Sequence, residues 1–308
     1  MMRKICAYQE AAASLRLHGD DEKPHKKMPW MDHGWIAAVA SLGQEVPIQI
    51  QHVAGSIHML EGRGGNIAVS VGKDGLLIVD TQFAELAPQI EQALDSLDKG
   101  SLQYVLNTHW HGDHTGGNAH FGAKATVIAH EKVRQRLSEK SNTPDKALPV
   151  ITFRESSSLF FNGEEIRMLH LGPGHTDGDA IIWFTQSNVI HMGDQFFNGR
   201  FPYIDLASGG QAEGYLKNVQ TVLNHLPEEA KIIPGHGKLA TRSDLESFEK
   251  MMRESLNTVR QSISLNKSLD QIKASKPMED YKAWGTGFIN TSRWLEILYN
   301  SLTSSTHR

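Results

Sequence analysis

The sequence has little of the chemistry that stabilises small secreted folds or membrane proteins. Its 308 residues include one cysteine, Cys6, which excludes an intramolecular disulfide framework and a cysteine-rich zinc module. No apolar run approaches the roughly 18–20 residues of a membrane-spanning helix. The formal net charge is -4, so no excess of basic residues favours nucleic acid or anionic lipid as a partner. What remains is an ordinary globular protein of one or two domains.

The N-terminal segment differs from the rest of the chain. Much of residues 1–47 is polar and irregular, which predicts an N-terminal extension without a packed core. The alternative is a degraded export signal, with Lys26-Lys27 as its basic region and "WIAAVASLG" as its apolar region. Asp32 and His33 interrupt this signal between its basic and apolar regions, and it starts late in the chain. We therefore favour a cytoplasmic protein, with a periplasmic or secreted one as the alternative.

From Ile48 onward the pattern alternates between strands and helices. The runs "GSIHMLEG", "NIAVSVG" and "LLIVD" are typical strands, and residues 84–98 have the apolar spacing of a helix. The pattern predicts an α/β domain over residues 48–242. A long helix is predicted from residue 243, capped by Ser243 or Asp244, and the helices of 243–308 are expected to pack on the same domain.

Sixteen histidines are present, and three of them fall in the stretch "LNTHWHGDHTGG" at residues 106–117. In extended chain, residues two apart point the same way, so His109 and His111 face one side. Gly112 allows a sharp turn, after which Asp113 and His114 can face a second centre. Neutral imidazoles are the commonest metal ligands, so this spacing offers ligands for two adjacent metal ions.

Three further candidates follow apolar strands: His175 in "LGPGHTDGD", Asp194 in "VIHMGDQF" and His236 in "IIPGHG". Each one alone is more typical of a turn residue or a hydrogen-bonded polar group. Together with residues 109–114, they supply the number of ligands that two metal sites require.

The order and spacing of these residues resemble the metallo-β-lactamase superfamily over roughly residues 48–240. The resemblance implies a four-layer αβ/βα sandwich of two mixed β-sheets with outer helices. It also implies that His109, His111 and His175 hold a first metal ion, that Asp113, His114 and His236 hold a second, and that Asp194 bridges them.

A zinc-dependent hydrolase is the function that the resemblance implies. Two Zn²⁺ per chain would generate a hydroxide that attacks a carbonyl carbon of a small-molecule substrate, and Mn²⁺ or Fe²⁺ also suit these ligands. Asp113 and His236 are the candidate catalytic residues, with Asp113 orienting the hydroxide. Asp80 and Thr176 are candidates for holding ligand histidines in position.

The sequence departs from the true β-lactamases of the family. Where their best-known subclass has a bridging cysteine and a lysine three residues later, this chain has Asp194 and Phe197. It is more similar to the glyoxalase II and lactonase branches. The sequence does not decide which bond is opened: a β-lactam amide, a lactone, an ester or a thioester. Asn198 and Arg200 are candidates for gripping a substrate carboxylate, or else only shape their loop, and Tyr203 is a candidate pocket wall.

Three other functions compete with this hypothesis. A phosphodiesterase or nuclease of the superfamily would use the same metals but would favour a basic groove, which the charge balance does not offer. A mononuclear-iron sulfur dioxygenase resembles the same motif. A binding protein without catalysis would be expected to have lost a ligand, and none is lost.

Overall fold

The structure, a computed structural model, describes residues 47–98 and 100–304. The predicted N-terminal extension and its export-signal alternative lie outside these residues, apart from Pro47. Among the described helices, none has the length and apolar character needed to cross a membrane.

Twelve strands form two sheets in the described residues. They are β1 (Gln49–Ala54), β2 (Ile57–Glu61), β3 (Ile67–Gly72), β4 (Gly75–Val79), β5 (Leu102–Asn107), β6 (Thr126–His130), β7 (Ile151–Phe153), β8 (Ser156–Phe161), β9 (Glu164–Leu169), β10 (Ile181–Phe184), β11 (Val189–Phe197) and β12 (Lys231–His236). The helices are α1 (Ala87–Leu97), α2 (Gly112–Thr115), α3 (Asn118–Phe121), α4 (Glu131–Glu139), α5 (Ala212–His225), α6 (Arg242–Ser264), α7 (Leu269–Ala274) and α8 (Thr291–Ser304).

Both sheets are mixed. The first has the order β1-β2-β3-β4-β5-β6-β7, antiparallel up to β4 and parallel from β4 to β7. The second has the order β12-β11-β10-β9-β8 and is antiparallel except for the parallel pair β11 and β12. The strand ends of the two sheets can therefore contribute side chains to one common edge.

Three apolar clusters show how the layers stack. Between the sheets, Leu77 of β4 belongs to the same cluster as Met168 of β9. Ile90 of α1 packs in a cluster on the other face of the first sheet, and Tyr215 of α5 joins one on the outer face of the second. Helix, sheet, sheet and helix thus follow one another, which confirms the predicted four-layer αβ/βα sandwich.

The C-terminal helices share the third cluster. Phe248 of α6 and Trp294 of α8 are fully buried in it, together with Ile190 of β11. The predicted cap of α6 is wrong, because Thr241 caps this helix. The Thr241 side chain accepts a hydrogen bond from the backbone of Asp244, whose carboxylate accepts one from the Thr241 N–H. Asp244 therefore lies inside the first turn of the helix.

The sequence pattern did not predict β1 or β8, the outer strands of the two sheets. The residues of β1 are mostly exposed, and those of β8 alternate between exposed and half-buried positions. Edge strands bury little apolar surface, so they carry weak apolar periodicity.

Candidate metal centre

The chain after β5 changes from extended to helical within a few residues. His111 has extended dihedrals (φ −64°, ψ 151°) and precedes α2 directly. The His114 N–H closes the first turn by donating to the His111 carbonyl at 3.0 Å. His109 and His111 come before this turn, whereas Asp113 and His114 lie in it. The change in backbone direction therefore sends the two pairs of side chains towards different centres.

Histidine and aspartate side chains converge in two groups beyond the end of β5. Within each group, the candidate ligand atoms lie within 4.8 Å of one another. The first group is His109, His111, His175 and Asp194, and the second is Asp113, His114 and His236. The structure thus brings together all seven residues that the sequence singled out. Asp194 was expected just past its strand but lies within β11, beside the position where the pairing of β11 with β12 shifts register.

The Asp194 carboxylate lies between the two groups. Its Oδ2 is 3.4 Å from His175 Nε2 and 3.7 Å from His109 Nε2, both in the first group. Its Oδ1 is 3.0 Å from His114 Nε2 and 3.4 Å from His236 Nε2, both in the second. One oxygen faces each group, which is the placement that a bridging ligand needs.

The histidines of the first group are held in the tautomer that binds a metal ion. His109 Nδ1 lies 3.0 Å from Thr108 Oγ1, and His175 Nδ1 lies 2.8 Å from the Tyr203 carbonyl. His111 Nε2 lies 3.0 Å from a carboxylate oxygen, Asp205 Oδ2. Because each of these nitrogens is tied to an oxygen, the other ring nitrogen is left as a ligand.

Unsatisfied polar atoms show that the site fits metal ions. His109 Nε2 is buried and has no hydrogen-bond partner among the described residues, and the buried Asp194 Oδ1 faces only the ring nitrogens of His114 and His236 there. Such groups are costly unless another ligand satisfies them. The donors are imidazole nitrogens and carboxylate oxygens without sulfur, a set that suits zinc and also manganese or iron.

Asp80 supports the second group and is fully buried at the end of β4. Its Oδ2 accepts hydrogen bonds from His114 Nδ1 and from Thr108 Oγ1, both at 2.7 Å, and its Oδ1 accepts one from the Thr108 N–H at 2.8 Å. Since Thr108 also contacts His109, the carboxylate orients one histidine directly and another through a hydroxyl. The structure therefore places Asp80 where the sequence analysis expected it to act.

Asp205 supports His111 and was missed by the sequence analysis. It is buried, and its Oδ2 also accepts a hydrogen bond from Ser208 Oγ at 2.6 Å. It follows no strand and belongs to no spaced motif, so no local signal marks it. Its separation of 94 residues from His111 means that only the fold brings the two together.

Thr176 does not hold a ligand histidine, which corrects the expectation for this residue. Its N–H and its hydroxyl both donate to the Asp179 carboxylate, at 2.9–3.0 Å and 2.5 Å. The group that orients the neighbouring His175 is the Tyr203 carbonyl instead. Thr176 and Asp179 thus close the turn that carries His175.

Charges within the second group favour a cation there. Burial would lower the pKa of His236, but Asp194 and Asp113 raise it to about 9. Burial would raise the pKa of Asp113, but His114 and His236 lower it to about 2. The pKa of His114 is also raised well above its usual value, because three carboxylates outweigh its burial. The carboxylates therefore stabilise positive charge, which protons supply in the metal-free protein and a divalent ion would supply in its place.

The three candidate substrate contacts differ in position. Asn198 donates its side-chain N–H to the Lys238 carbonyl at 3.0 Å, so it shapes the loop after β12. Arg200 is exposed and lies against Gly287, and no contact joins it to the ligand set within the described ranges. The Tyr203 ring lies 5.9 Å from the His175 ring and 6.1 Å from the His111 ring. Only Tyr203 thus borders the centre.

Phe197 adds an aromatic wall on the other side of the centre. Its ring stacks on His236 with centroids 5.0 Å apart and lies 6.2 Å from the His175 ring. It occupies the position where the β-lactamase subclass has a lysine. The wall at this position is therefore apolar.

Comparison with known proteins agrees with this geometry. The family model described as "Metallo-beta-lactamase superfamily" matches residues 60–236. Hydroxyacylglutathione hydrolase of Methylococcus capsulatus is 29% identical over 189 residues, which cover 54% of this chain and 67% of that protein. The chain spans about half the length of several other curated relatives. One of them, the 2,4-dinitroanisole O-demethylase subunit alpha of Nocardioides sp., is 26% identical over a stretch that covers 57% of this chain and 53% of that protein.

Solved structures resemble the fold at low identity. The sec-alkyl sulfatase PisA1, in a double-mutant form, matches with a TM-score of 0.67 at 16% identity, over 83% of this chain and 50% of that one. At this identity, the likeness concerns the fold alone.

Proposed function

Because the chain belongs to the metallo-β-lactamase superfamily, we propose that it is a zinc-dependent hydrolase with two metal ions, which opens the carbonyl bond of a thioester, ester or lactone. The observation that carries this proposal is the Asp194 carboxylate, which turns one oxygen to each ligand group. Support for the substrate class comes from the aspartate at the bridging position and from the relative named hydroxyacylglutathione hydrolase.

The chain's own residues would prepare the reaction in three ways. His109, His111 and His175 would hold one ion and Asp113, His114 and His236 the other, at a separation fixed by Asp194. Zinc ions held there would supply Lewis acidity, which polarises a carbonyl and makes water nucleophilic near neutral pH. Phe197 and Tyr203 would exclude bulk water beside them, which strengthens electrostatic interactions in the site.

Asp113 would orient the attacking water. Its Oδ2 lies 3.2 Å from His236 Nε2 and points into the second group. Although burial would raise its pKa, the histidines lower it to about 2, so the carboxylate is ionised at neutral pH. It accepts hydrogen bonds there but is a weak base. Its proposed role is therefore to fix the direction of the water rather than to remove a proton.

Two alternatives from the same superfamily are less well supported. A mononuclear iron site would need only the first group, whereas the second group has three ligand residues and its own supporting carboxylate, Asp80. A nuclease would be favoured by basic residues around the site, and the net charge of -4 offers no such excess. Both remain outcomes of the experiment below.

The test is metal analysis followed by a substrate panel. Purified protein reconstituted with zinc should bind close to two ions per chain. It should then hydrolyse S-lactoylglutathione or an acyl-homoserine lactone faster than nitrocefin or bis-p-nitrophenyl phosphate. The Asp194→Asn variant, prepared in the same way, controls for a contaminating hydrolase. A zinc-loaded protein that cleaves only the phosphodiester would overturn the proposal, as would one ion per chain with sulfur dioxygenase activity.

A further inference from the structure

Lys140, the residue that follows α4, lies near the edge of the metal centre. The Lys140 ammonium lies 4.5 Å from the centroid of the Trp110 ring. Trp110 lies in the chain between two ligands, and its ring centroid is 5.1 Å from that of His111. The lysine therefore stands one aromatic ring away from the first ligand group.

Two other cations near the centre are already neutralised by carboxylates. Arg136, from the same helix, is 5.9 Å from the Trp110 ring but donates two hydrogen bonds to Asp177, at 2.7 and 2.8 Å. Lys238 lies 2.8 Å from a carboxylate oxygen of Glu61. Lys140, in contrast, has no carboxylate within 4.0 Å in the part of the chain that the structure describes.

Lys140 lies within electrostatic reach of the metal centre. Burial by its surroundings lowers the pKa of Lys140, and the only charge that acts against this shift is the carboxylate of Asp113. Asp113 belongs to the second ligand group. A substrate anion bound at the metal centre beside Trp110 would come within reach of this ammonium. Trp110 limits the freedom of the ammonium, which reduces the entropy lost on binding.

We propose that Lys140, positioned over Trp110, binds a carboxylate on the substrate and so makes the enzyme prefer anionic esters or thioesters. This inference rests on the proposed hydrolase function and names its substrate class. The sequence had suggested Asn198 and Arg200 for binding this carboxylate. In the structure Asn198 bonds to the Lys238 carbonyl and Arg200 lies against Gly287, so we assign that role to Lys140 instead. The carboxylate would enter from the α4 side, opposite the apolar wall formed by Phe197.

The test compares two substrates that differ only in charge. They are 4-nitrophenyl hydrogen glutarate, which carries a carboxylate, and its methyl ester, which is neutral. The readout is the ratio of their kcat/KM values on the zinc-loaded protein. Lys140→Ala should lower this ratio about two- to fivefold, as expected for the loss of an exposed ion pair. Lys140→Arg should restore most of it, and Lys140→Glu should lower it further.

The matched control is Lys132→Ala on the same helix. Lys132 donates to Gln135 at 3.1 Å and has no contact with Trp110 among the described residues, so the ratio should stay at the wild-type value. An unchanged ratio in Lys140→Ala would overturn the inference, and so would an equal fall in Lys132→Ala.

A binding measurement separates this inference from the proposed function. If neither ester is hydrolysed, the hydrolase proposal fails, but methyl hydrogen glutarate can still be titrated calorimetrically into the zinc-loaded protein. Lys140→Ala should then raise its Kd by the same factor of about two to five. A Kd equal to that of the wild type would refute the role of Lys140 whatever the reaction of the enzyme.

Discussion

Asp80→Asn should weaken the second metal site while leaving the fold intact. Asp80 accepts three hydrogen bonds: from His114 Nδ1, from the Thr108 hydroxyl and from the Thr108 N–H. Asparagine has nearly the same shape and tolerates the positive φ of 68° at this position, so the backbone needs no change. Its NH₂ group, however, must face at least one of these three donors. The variant therefore tests the carboxylate's charge and acceptor capacity.

The size of the effect follows from these contacts. A hydrogen bond to a charged group contributes about 1.5–3 kcal/mol, and each 1.4 kcal/mol is a tenfold change in an equilibrium constant. Loss of the bond that orients His114 should therefore weaken zinc binding at the second site by about 10–100-fold, which matches the usual cost of removing such a supporting group.

Competition with a chromophoric chelator measures both zinc affinities. The matched control is Asp205→Asn, because Asp205 supports His111 of the first group at 3.0 Å. Asp80→Asn should affect mainly the second group, through His114, and Asp205→Asn mainly the first, through His111. If both variants weaken the same site, or if Asp80→Asn keeps wild-type affinity at both sites, the assignment of these carboxylates is wrong.

Three other predictions concern the ligand groups. Asp194→Asn should lower the zinc content towards one ion per chain and reduce turnover at least about a hundredfold, because a neutral amide is a poor bridge; full metal content with full rate would contradict this. Gly65→Ala should displace His114, since a Cβ at residue 65 would overlap its ring, and should cost about 1–3 kcal/mol of stability together with second-site zinc; a wild-type melting curve and zinc content would disprove the overlap. In metal-free protein, the pKa of His236 is raised to about 9 in the folded state, so the stability that it contributes should be present below pH about 6.5 and lost as the pH rises to about 9. The melting temperature should therefore fall between these pH values in the wild type but not in His236→Ala. Parallel pH profiles of the two melting temperatures would contradict this prediction.

The sequence by itself marked four of the seven candidate ligands, because these four obey a short-range spacing rule. His109, His111, Asp113 and His114 lie within six residues, so a single turn sets their directions. Their spacing could be recognised without knowledge of the fold. The alternation of strands and helices was also predictable from the different apolar periods of the two elements, whereas the four-layer sandwich was implied by the family resemblance.

Only the tertiary structure decided how the ligands are supported and what surrounds them. Asp205 contacts His111 across 94 residues, and the Tyr203 carbonyl contacts His175 across 28. Neither contact leaves a periodic or spaced pattern. The same holds for Lys140, which lies over the Trp110 ring only because α4 packs beside that ring. Asn198 and Arg200, although close to Asp194 in sequence, lie in a loop that turns them elsewhere. The geometry of residues 109–114 is local in this chain. The other three candidate ligands and the charges around the centre are brought there by packing between distant segments, and local spacing carries no information about such packing.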